Sequence, residues 1–299
     1  MIESIVTLLI YPGFVFLMFA SMIYYGIFRK ISARMQSRIG PPIWQPILDF
    51  IKLIGKEDME PEQAKAGFTL WPFMAIASVI IAGLLTPIAG AVALSFTGDV
   101  IILVYFLSFG SLAVYLAGFA SANPYGVVGS MRGLIQMIGY EFPFIVSIIV
   151  SVIATGMLSP FLINIYQLEY GWIAYMFPLA AFAYFISVLA KVEIPPFHTP
   201  AAHQEIVSGY STEYTGTRLA MIELTHMVKL FVLISLGIAL FFGGSGDIIV
   251  FLIKSLVMLF VIVLIRVLMA RIRIDHILKF TWIFGLIALI DLFRVVFFV

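Results

Sequence analysis

Eight apolar runs separated by short polar stretches make up most of this chain. They cover residues 5–28, 68–95, 100–121, 131–154, 172–191, 218–243, 248–270 and 276–298. Each run is long enough to cross the ~30 Å hydrocarbon core of a bilayer as an α-helix. Hydrophobic residues make up 63% of the chain and charged residues 11%, which excludes a soluble globular domain. The sequence predicts an all-α, polytopic membrane protein with about eight transmembrane helices, in which residues 1–299 form a single integral membrane domain.

Lysine and arginine are distributed unevenly among the connections between these runs. The second, fourth and sixth connections contain Asp99, Glu169 and Asp247 but no basic residue. The basic residues around the first and seventh connections are Arg29, Lys30, Arg34, Arg38, Lys52, Lys56, Lys65, Arg271, Arg273 and Lys279. Because positive charge marks cytoplasmic connections, we expect a multi-pass protein of a prokaryotic cell membrane with both termini outside.

The first connection contains a pattern of its own. Ile47, Leu48, Ile51 and Ile54 recur at helical spacing, with charged side chains between them. This spacing predicts an amphipathic helix lying at the cytoplasmic membrane surface. The second cytoplasmic connection is expected to run from Phe119 to Gly133.

The third cytoplasmic connection, residues 193–216, is polar in an otherwise apolar chain. It contains His198, His203, Glu205, Glu213 and Tyr214. Loops fixed by a rigid scaffold are favoured places for binding, so this segment is a candidate binding loop. The alternative is a connector that only faces lipid headgroups.

Four titratable residues within the apolar runs stand out by their depth or spacing. Glu141 lies roughly 15 Å along the fourth run, and Glu223, His226 and Lys229 follow one another at spacing three on the sixth. An ionised group at such depth costs at least ~2.5–3.5 kcal/mol, so such residues usually mark an ion path. We interpret the four as a relay. The alternative is a neutral Glu141 and a Glu223–Lys229 pair that only hold helices together.

Some kinds of chemistry are excluded by composition. The chain has no cysteine, so it cannot provide thiolate ligands for an iron–sulfur cluster or a metal, and we predict no metal site and no catalytic residue of its own. Nucleic-acid binding has no support, because the basic residues are juxtamembrane and lack interleaved aromatic residues.

Three segments together carry a resemblance to a known family. They are ISARMQSRIGPPIWQPILDFIKLIGKED from Ile31, FASANPYGVVGSMRGLIQMIGYEFPF from Phe119 and PFHTPAAHQEIVSGYSTEYTG from Pro196. In this order they resemble the membrane subunit of respiratory complex I that anchors the peripheral arm. The same family includes subunits of energy-converting, membrane-bound NiFe hydrogenases.

The resemblance implies roles for particular residues. It assigns docking of the soluble arm to Arg34, Arg38, Gln45, Asp49, Lys52 and Lys56. It matches Glu141 to a family glutamate and Tyr214 to a family tyrosine, and it implies an acidic channel through Glu205, Glu213 and Glu223. Glu141 and Glu223 are also indicated by membrane depth alone.

The third segment departs from the pattern of the quinone-reducing members. Ile194 replaces an arginine, His198 an aspartate, and Ala201 and His203 two glutamates, whereas Glu205 is retained. Together with Lys229, these departures favour the hydrogenase-type branch. The resemblance then implies a non-catalytic coupling subunit that moves protons or sodium ions.

The implied partners are soluble iron–sulfur and hydrogenase-like large subunits, antiporter-like membrane subunits and membrane lipid. No cofactor is expected in this chain, and the iron–sulfur clusters and a NiFe centre would belong to those partners. Three alternatives remain: a quinone-site subunit of a donor:quinone oxidoreductase, a stand-alone secondary transporter, and a pure membrane anchor.

Overall fold

The computed structural model describes residues 7–298, and within them helices joined by short connections form the fold, with no β-strand. Twelve α-helices in the described residues are numbered here in chain order. They are α1 (Phe14–Met35), α2 (Gln45–Ile54), α3 (Leu70–Leu85), α4 (Asp99–Ala120), α5 (Pro124–Thr155), α6 (Pro160–Tyr170), α7 (Ile173–Met176), α8 (Pro178–Lys191), α9 (His203–Ile206), α10 (Gly216–Leu240), α11 (Ile248–Leu268) and α12 (Ile274–Phe298). A 3₁₀ turn, Gly209–Ser211, lies between α9 and α10.

Six of the predicted spans coincide with helices long and apolar enough to cross a membrane, namely α1, α4, α5, α10, α11 and α12. The first predicted run also includes residues 5 and 6, which lie outside the described part of the chain. The second and fifth runs form shorter apolar helices, α3 with 16 residues and α8 with 14. At about 1.5 Å per residue these two helices reach only roughly 24 and 21 Å. An all-α polytopic membrane protein is confirmed, but two of the eight predicted spans are shorter than a hydrocarbon core.

Two predicted connections are wrong in their extent. The segment from Phe119 to Gly133 is mostly helical, since α4 ends at Ala120 and α5 begins at Pro124. Asn123 caps α5, because its side-chain oxygen accepts a hydrogen bond from the Tyr125 amide, and proline is favoured at the first helical position. Between the fourth and fifth runs, where only a connection is predicted, the chain forms α6.

The amphipathic helix is present as α2. Its apolar side chains Leu48 and Ile51 are 56% and 61% exposed. An apolar face left open on a juxtamembrane helix is the arrangement expected of a helix lying in the membrane surface.

The interior is centred on α10, the most deeply buried of the six long helices. It packs against α3 on one side and against α1 on another. α5 packs along α12 and α8, and α4 packs along α3 and α5. This packing brings α4, α5, α8 and α10 to a common interior, where most of the buried charged groups lie.

The segment 193–216 folds into this interior instead of lying on the surface. Phe197, Tyr210 and Tyr214 are all less than 5% exposed. The close approach depends on glycine, because a Cβ at Gly129 of α5 would lie 2.8 Å from Gly209 Cα, from Pro200 O and from Tyr210 N. Those neighbours are backbone atoms, which cannot move aside as a flexible side chain can.

We therefore expect Gly129→Ala to destabilise the protein, by about 1–3 kcal/mol, the usual cost of overpacking. The measurement is the midpoint of thermal unfolding in detergent. Gly246→Ala is the matched control, since a Cβ there meets only Leu168 Cδ1 at 3.6 Å. Equal midpoints for the two variants would show that the segment does not depend on this contact.

Candidate functional site

Glu141, predicted from its membrane depth, forms a buried ion pair. Lys191, the last residue of α8, donates from Nζ to Glu141 Oε1 over 2.6 Å. The lysine is fully buried and also donates to Ser108 Oγ over 3.3 Å, and its ammonium lies 4.3 Å from the centre of the Phe144 ring. Glu141 Oε2 is buried without a hydrogen-bond partner among the described residues. The glutamate therefore has one oxygen held by a cation and one open to a proton.

The partner of Glu141 differs from the expectation. The relay predicted from the sequence groups Glu141 with Glu223, His226 and Lys229 of α10. The pair forms instead with Lys191, because α5 packs along α8. Sequence reasoning missed Lys191, which lies at the end of an apolar run where a lysine is usually exposed to water.

A second buried carboxylate, Glu193, was also missed. It is 5% exposed and accepts hydrogen bonds from the Tyr115 hydroxyl at 2.9 Å and from the Tyr210 hydroxyl at 3.0 Å. Burial by itself raises the pKa of Glu193, but the charges of His226 and Lys229 and the two hydroxyls outweigh it, so that the pKa lies below its ordinary value. Glu193 is therefore held in the ionised form.

Tyr210 connects Glu193 with α10. Its hydroxyl lies 2.9 Å from His226 Nε2, and the two rings stack with centroids 5.9 Å apart. Because the single hydroxyl proton goes to Glu193, the histidine nitrogen must be the donor in this contact. Burial and the carboxylates of Glu193 and Glu223 raise the pKa of Tyr210 well above its ordinary value, so the hydroxyl stays protonated.

Helix α4 provides a polar stripe along these charged groups. Ser108, Ser111 and Tyr115 lie on one face of the helix, because they are spaced by three and then four residues. Ser108 accepts from Lys191, Ser111 accepts from fully buried Lys229 over 3.2 Å, and Tyr115 donates to Glu193. This spacing in an apolar helix is the sequence signal from which the stripe could have been found.

Glu223 lies on the side of α10 nearer the docking connection. With Arg29 of α1, Asp49 and Lys52 of α2 and Lys56 just after α2, it lines a cavity of about 510 Å³. The cavity places Glu223 beside the surface helix α2, and the charge of Glu223 also acts on the Tyr210 hydroxyl. Glu223, His226 and Lys229 thus face different surroundings, since His226 contacts the Tyr210 hydroxyl and Lys229 donates to Ser111 of α4.

The other predicted acids of the third connection lie apart from the buried groups. Glu205 is 51% exposed and forms ion pairs with Arg132 and, at 3.6 Å, with Arg271. The hydrogen bond from Arg132 holds the pKa of Glu205 below its ordinary value. Glu213 accepts a hydrogen bond from Asn123, which caps the start of α5. Of the three acids assigned to a channel by resemblance, Glu223 acts electrostatically on Tyr210, whereas Glu205 and Glu213 bind Arg132 and Asn123.

The remaining loop residues have mainly structural contacts. His198 Nδ1 lies 2.8 Å from the backbone oxygen of Glu193. The Tyr214 hydroxyl donates to the Ala117 carbonyl over 2.8 Å, its ring stacks on Phe68, and burial raises its pKa. His203 begins α9, and its side chain lies outside the described part of the structure.

The predicted docking residues divide into a fixed and an exposed group. Asp49 accepts from Arg29 Nη1 over 2.9 Å and from Gln45 Nε2 over 2.8 Å, which ties α2 to α1. Arg34, Arg38, Lys52 and Lys56 are exposed. No group of three or more His, Asp or Glu residues in the described chain is placed to hold a metal ion.

Comparison with known proteins supports one family. The family model described as NADH dehydrogenase matches residues 6–297. An NADH-quinone oxidoreductase subunit of Protochlamydia amoebophila (strain UWE25) is 35% identical over 280 residues, which is 85% of each chain. The protein of the same name from Geobacillus sp. (strain WCH70) is 32% identical over 291 residues, 89% of this chain and 86% of that one.

A solved structure is also similar over nearly the whole chain. A chain of the membrane-bound sulfane sulfur reductase, an archaeal respiratory membrane complex, superposes with a TM-score of 0.88 at 29% identity. The match covers 94% of this chain and 96% of that chain. This chain therefore belongs to the NADH dehydrogenase family and is a multi-pass membrane subunit of a complex I-like oxidoreductase.

Proposed function

We propose that this subunit docks a soluble iron–sulfur arm and couples electron transfer in that arm to the movement of protons or sodium ions. The observation that carries the proposal is the set of titratable groups buried on α5, α8, α10 and the segment 193–216. Three of them, Lys191, Lys229 and Glu193, each contact the same face of α4, through Ser108, Ser111 and Tyr115. Burying a charge is costly, and a buried ion pair that serves only stability can often be replaced by apolar residues. The presence of several buried charges therefore favours a functional role for them.

The arrangement supports a stepwise mechanism. A redox change in the docked arm alters the charge near α2 and Glu223, and Tyr210 transmits it because its hydroxyl contacts both Glu193 and His226. A proton that moves onto or off this cluster changes the field at Lys229 and then at Lys191. Glu141 responds last, since protonation at Oε2 would release Lys191 from its counter-charge. Sites coupled in this way titrate as a unit.

The exposed basic side chains of the first connection support the docking part of the proposal. They flank α2, whose position is fixed by the Arg29–Asp49 ion pair. Because positive charge marks the cytoplasmic side, we place this connection and the arm in the cytoplasm and both termini outside. Further partners would be hydrogenase-like large subunits and antiporter-like membrane subunits.

For the electron acceptor we favour the hydrogenase-type branch, in which protons or a sulfur compound accept electrons in the soluble arm. Support comes from the replacement of expected acids by His198, Ala201 and His203. The superposed neighbour is a sulfane sulfur reductase by name. A second candidate, a quinone-site subunit, is favoured by the cavity between α1, α2 and α10 and by the names of the sequence relatives.

Substitution of Glu141 tests the coupling part of the proposal. Glu141→Gln removes the titratable group, so redox-driven ion uptake into vesicles should fall by roughly tenfold or more, as expected when a required proton-transfer group is lost. It also leaves Lys191 as an unpaired buried cation, which costs about 3–5 kcal/mol. Assembly should therefore weaken as well, and the double variant Glu141→Gln/Lys191→Met separates the two effects.

The double variant should assemble like the unmodified complex and transfer electrons to artificial acceptors, yet remain unable to take up ions. Asp99→Asn is the matched control: this carboxylate is fully buried, but it binds only the Phe96 amide and Ser159 and lies outside the cluster. Normal ion uptake by the double variant would mean that the pair is purely structural, as in a membrane anchor.

Charge reversal in the first connection tests docking of the soluble arm. Reversing both Arg34 and Arg38 to Glu should weaken attachment of the soluble arm by roughly tenfold or more, because like charges brought together cost several kcal/mol. The retained arm is measured by gel filtration at low and high salt, with exposed Lys279→Glu as the control. An arm that stays attached in the double variant contradicts this docking surface.

Dependence on added quinone distinguishes the two candidate electron acceptors. If the acceptor lies in the soluble arm, the purified complex should oxidise its donor without added quinone, and quinone analogues should not inhibit it. Strict dependence on quinone, combined with loss of activity on filling the cavity by Leu219→Trp, would favour the quinone-site function instead.

A further inference from the structure

A second polar cavity, of about 590 Å³, lies where α11 ends and α12 begins. Its wall includes Arg132 of α5, Arg266 of α11, Arg271 and Arg273 of the connection, and the carboxylates Glu205 and Asp275. Four arginines against two carboxylates leave the wall with a formal charge of +2. None of these residues belongs to the buried cluster around Glu193.

The carboxylates only partly neutralise the arginines. Glu205 is shared between Arg132 and Arg271, and Asp275 pairs with Arg273 at 3.1 Å. Arg266 has no carboxylate within ion-pair distance among the described residues. Its Nη1 donates only to Ser32 Oγ over 3.4 Å, and its guanidinium lies 4.6 Å from the centre of the Phe28 ring.

Half-buried guanidinium groups favour one kind of ligand. Arg132 and Arg271 have side chains only 29% and 28% exposed, so their charges are poorly screened by water. The planar fork of donors in a guanidinium matches the oxygens of a phosphate, which can accept two hydrogen bonds from one arginine. A cavity wall that contains several such forks and excess positive charge is suited to a phosphate group.

The location indicates where the phosphate would come from. Leu268 and Met269, at the end of α11, are 73% and 54% exposed beside the cavity. Juxtamembrane arginines can bind the headgroup of an anionic lipid, and exposed apolar side chains beside them can contact its acyl chains. We propose that this cavity binds a phosphate group, supplied by the headgroup of an anionic phospholipid or by a soluble phosphate.

Binding of phosphate is tested on the full-length protein, purified in detergent and stripped of lipid. Inorganic phosphate is titrated calorimetrically against chloride at matched ionic strength. Arg266→Gln should weaken binding by roughly tenfold, the loss expected for one charge-assisted contact. Arg271→Gln is a second variant, because Arg266 also packs on Phe28. Lys279→Gln, which removes an exposed charge outside the cavity wall, should bind like the unmodified protein.

A second experiment, on the gently solubilised complex, identifies the source of the phosphate group. Native mass spectrometry should find a retained phospholipid that is lost in Arg266→Gln/Arg271→Gln, and short-chain phosphatidylglycerol should displace inorganic phosphate. Phosphate binding that phosphatidylglycerol does not displace assigns the cavity to a soluble phosphate. The proposal is overturned if phosphate binds no more tightly than chloride, or if Lys279→Gln weakens binding as much as the arginine variants.

Discussion

The burial of two lysine ammonium groups among apolar helices sets the arrangement of the whole interior. Neither Lys191 nor Lys229 reaches water, so each needs polar partners that the surrounding helices must bring to it. α4 provides one serine for each lysine, and α5 provides the carboxylate for Lys191. The packing of α4, α5, α8 and α10 is therefore constrained by charge as well as by shape. Had one of these helices rotated by a third of a turn, an ammonium group would have lost its partners.

Glycine makes this arrangement sterically possible. Gly129 lets the backbone of the segment 193–216 lie directly against α5, which carries Tyr210 and Glu193 into contact with α4 and α10. The segment is irregular but enclosed by protein, so its buried side chains need polar partners within the molecule, as Glu193 and Tyr210 have. The site thus combines a loop that carries Glu193 and Tyr210 with helices that supply the opposite charge, Lys229 of α10.

Much of the fold follows from hydropathy, because a ~30 Å apolar thickness leaves few alternatives to a long apolar helix. Glu141, His226 and Lys229 could be found by depth alone. Their partners could not, since Lys191 and Glu193 stand at the end of an apolar run, where local sequence is equally consistent with exposure. Glu205 is a different case: the resemblance assigns it to an acidic channel, and local sequence does not show that α5 and the α11–α12 connection place two arginines beside it. Contacts between distant segments decide both cases.

The short length of α8 has a consequence for the bilayer itself. Its 14 residues reach roughly 21 Å, about 9 Å less than the hydrocarbon core. Lys191 is the last residue of this helix, so the position of the α8 C-terminus sets where the ammonium lies. Hydrophobic mismatch of this size favours local thinning of the lipid or covering by a neighbouring protein. The lipid or protein beside α8 thereby helps to determine how far the Lys191–Glu141 pair lies from water. Membrane thickness would then affect the buried charges without any contact between lipid and those charges.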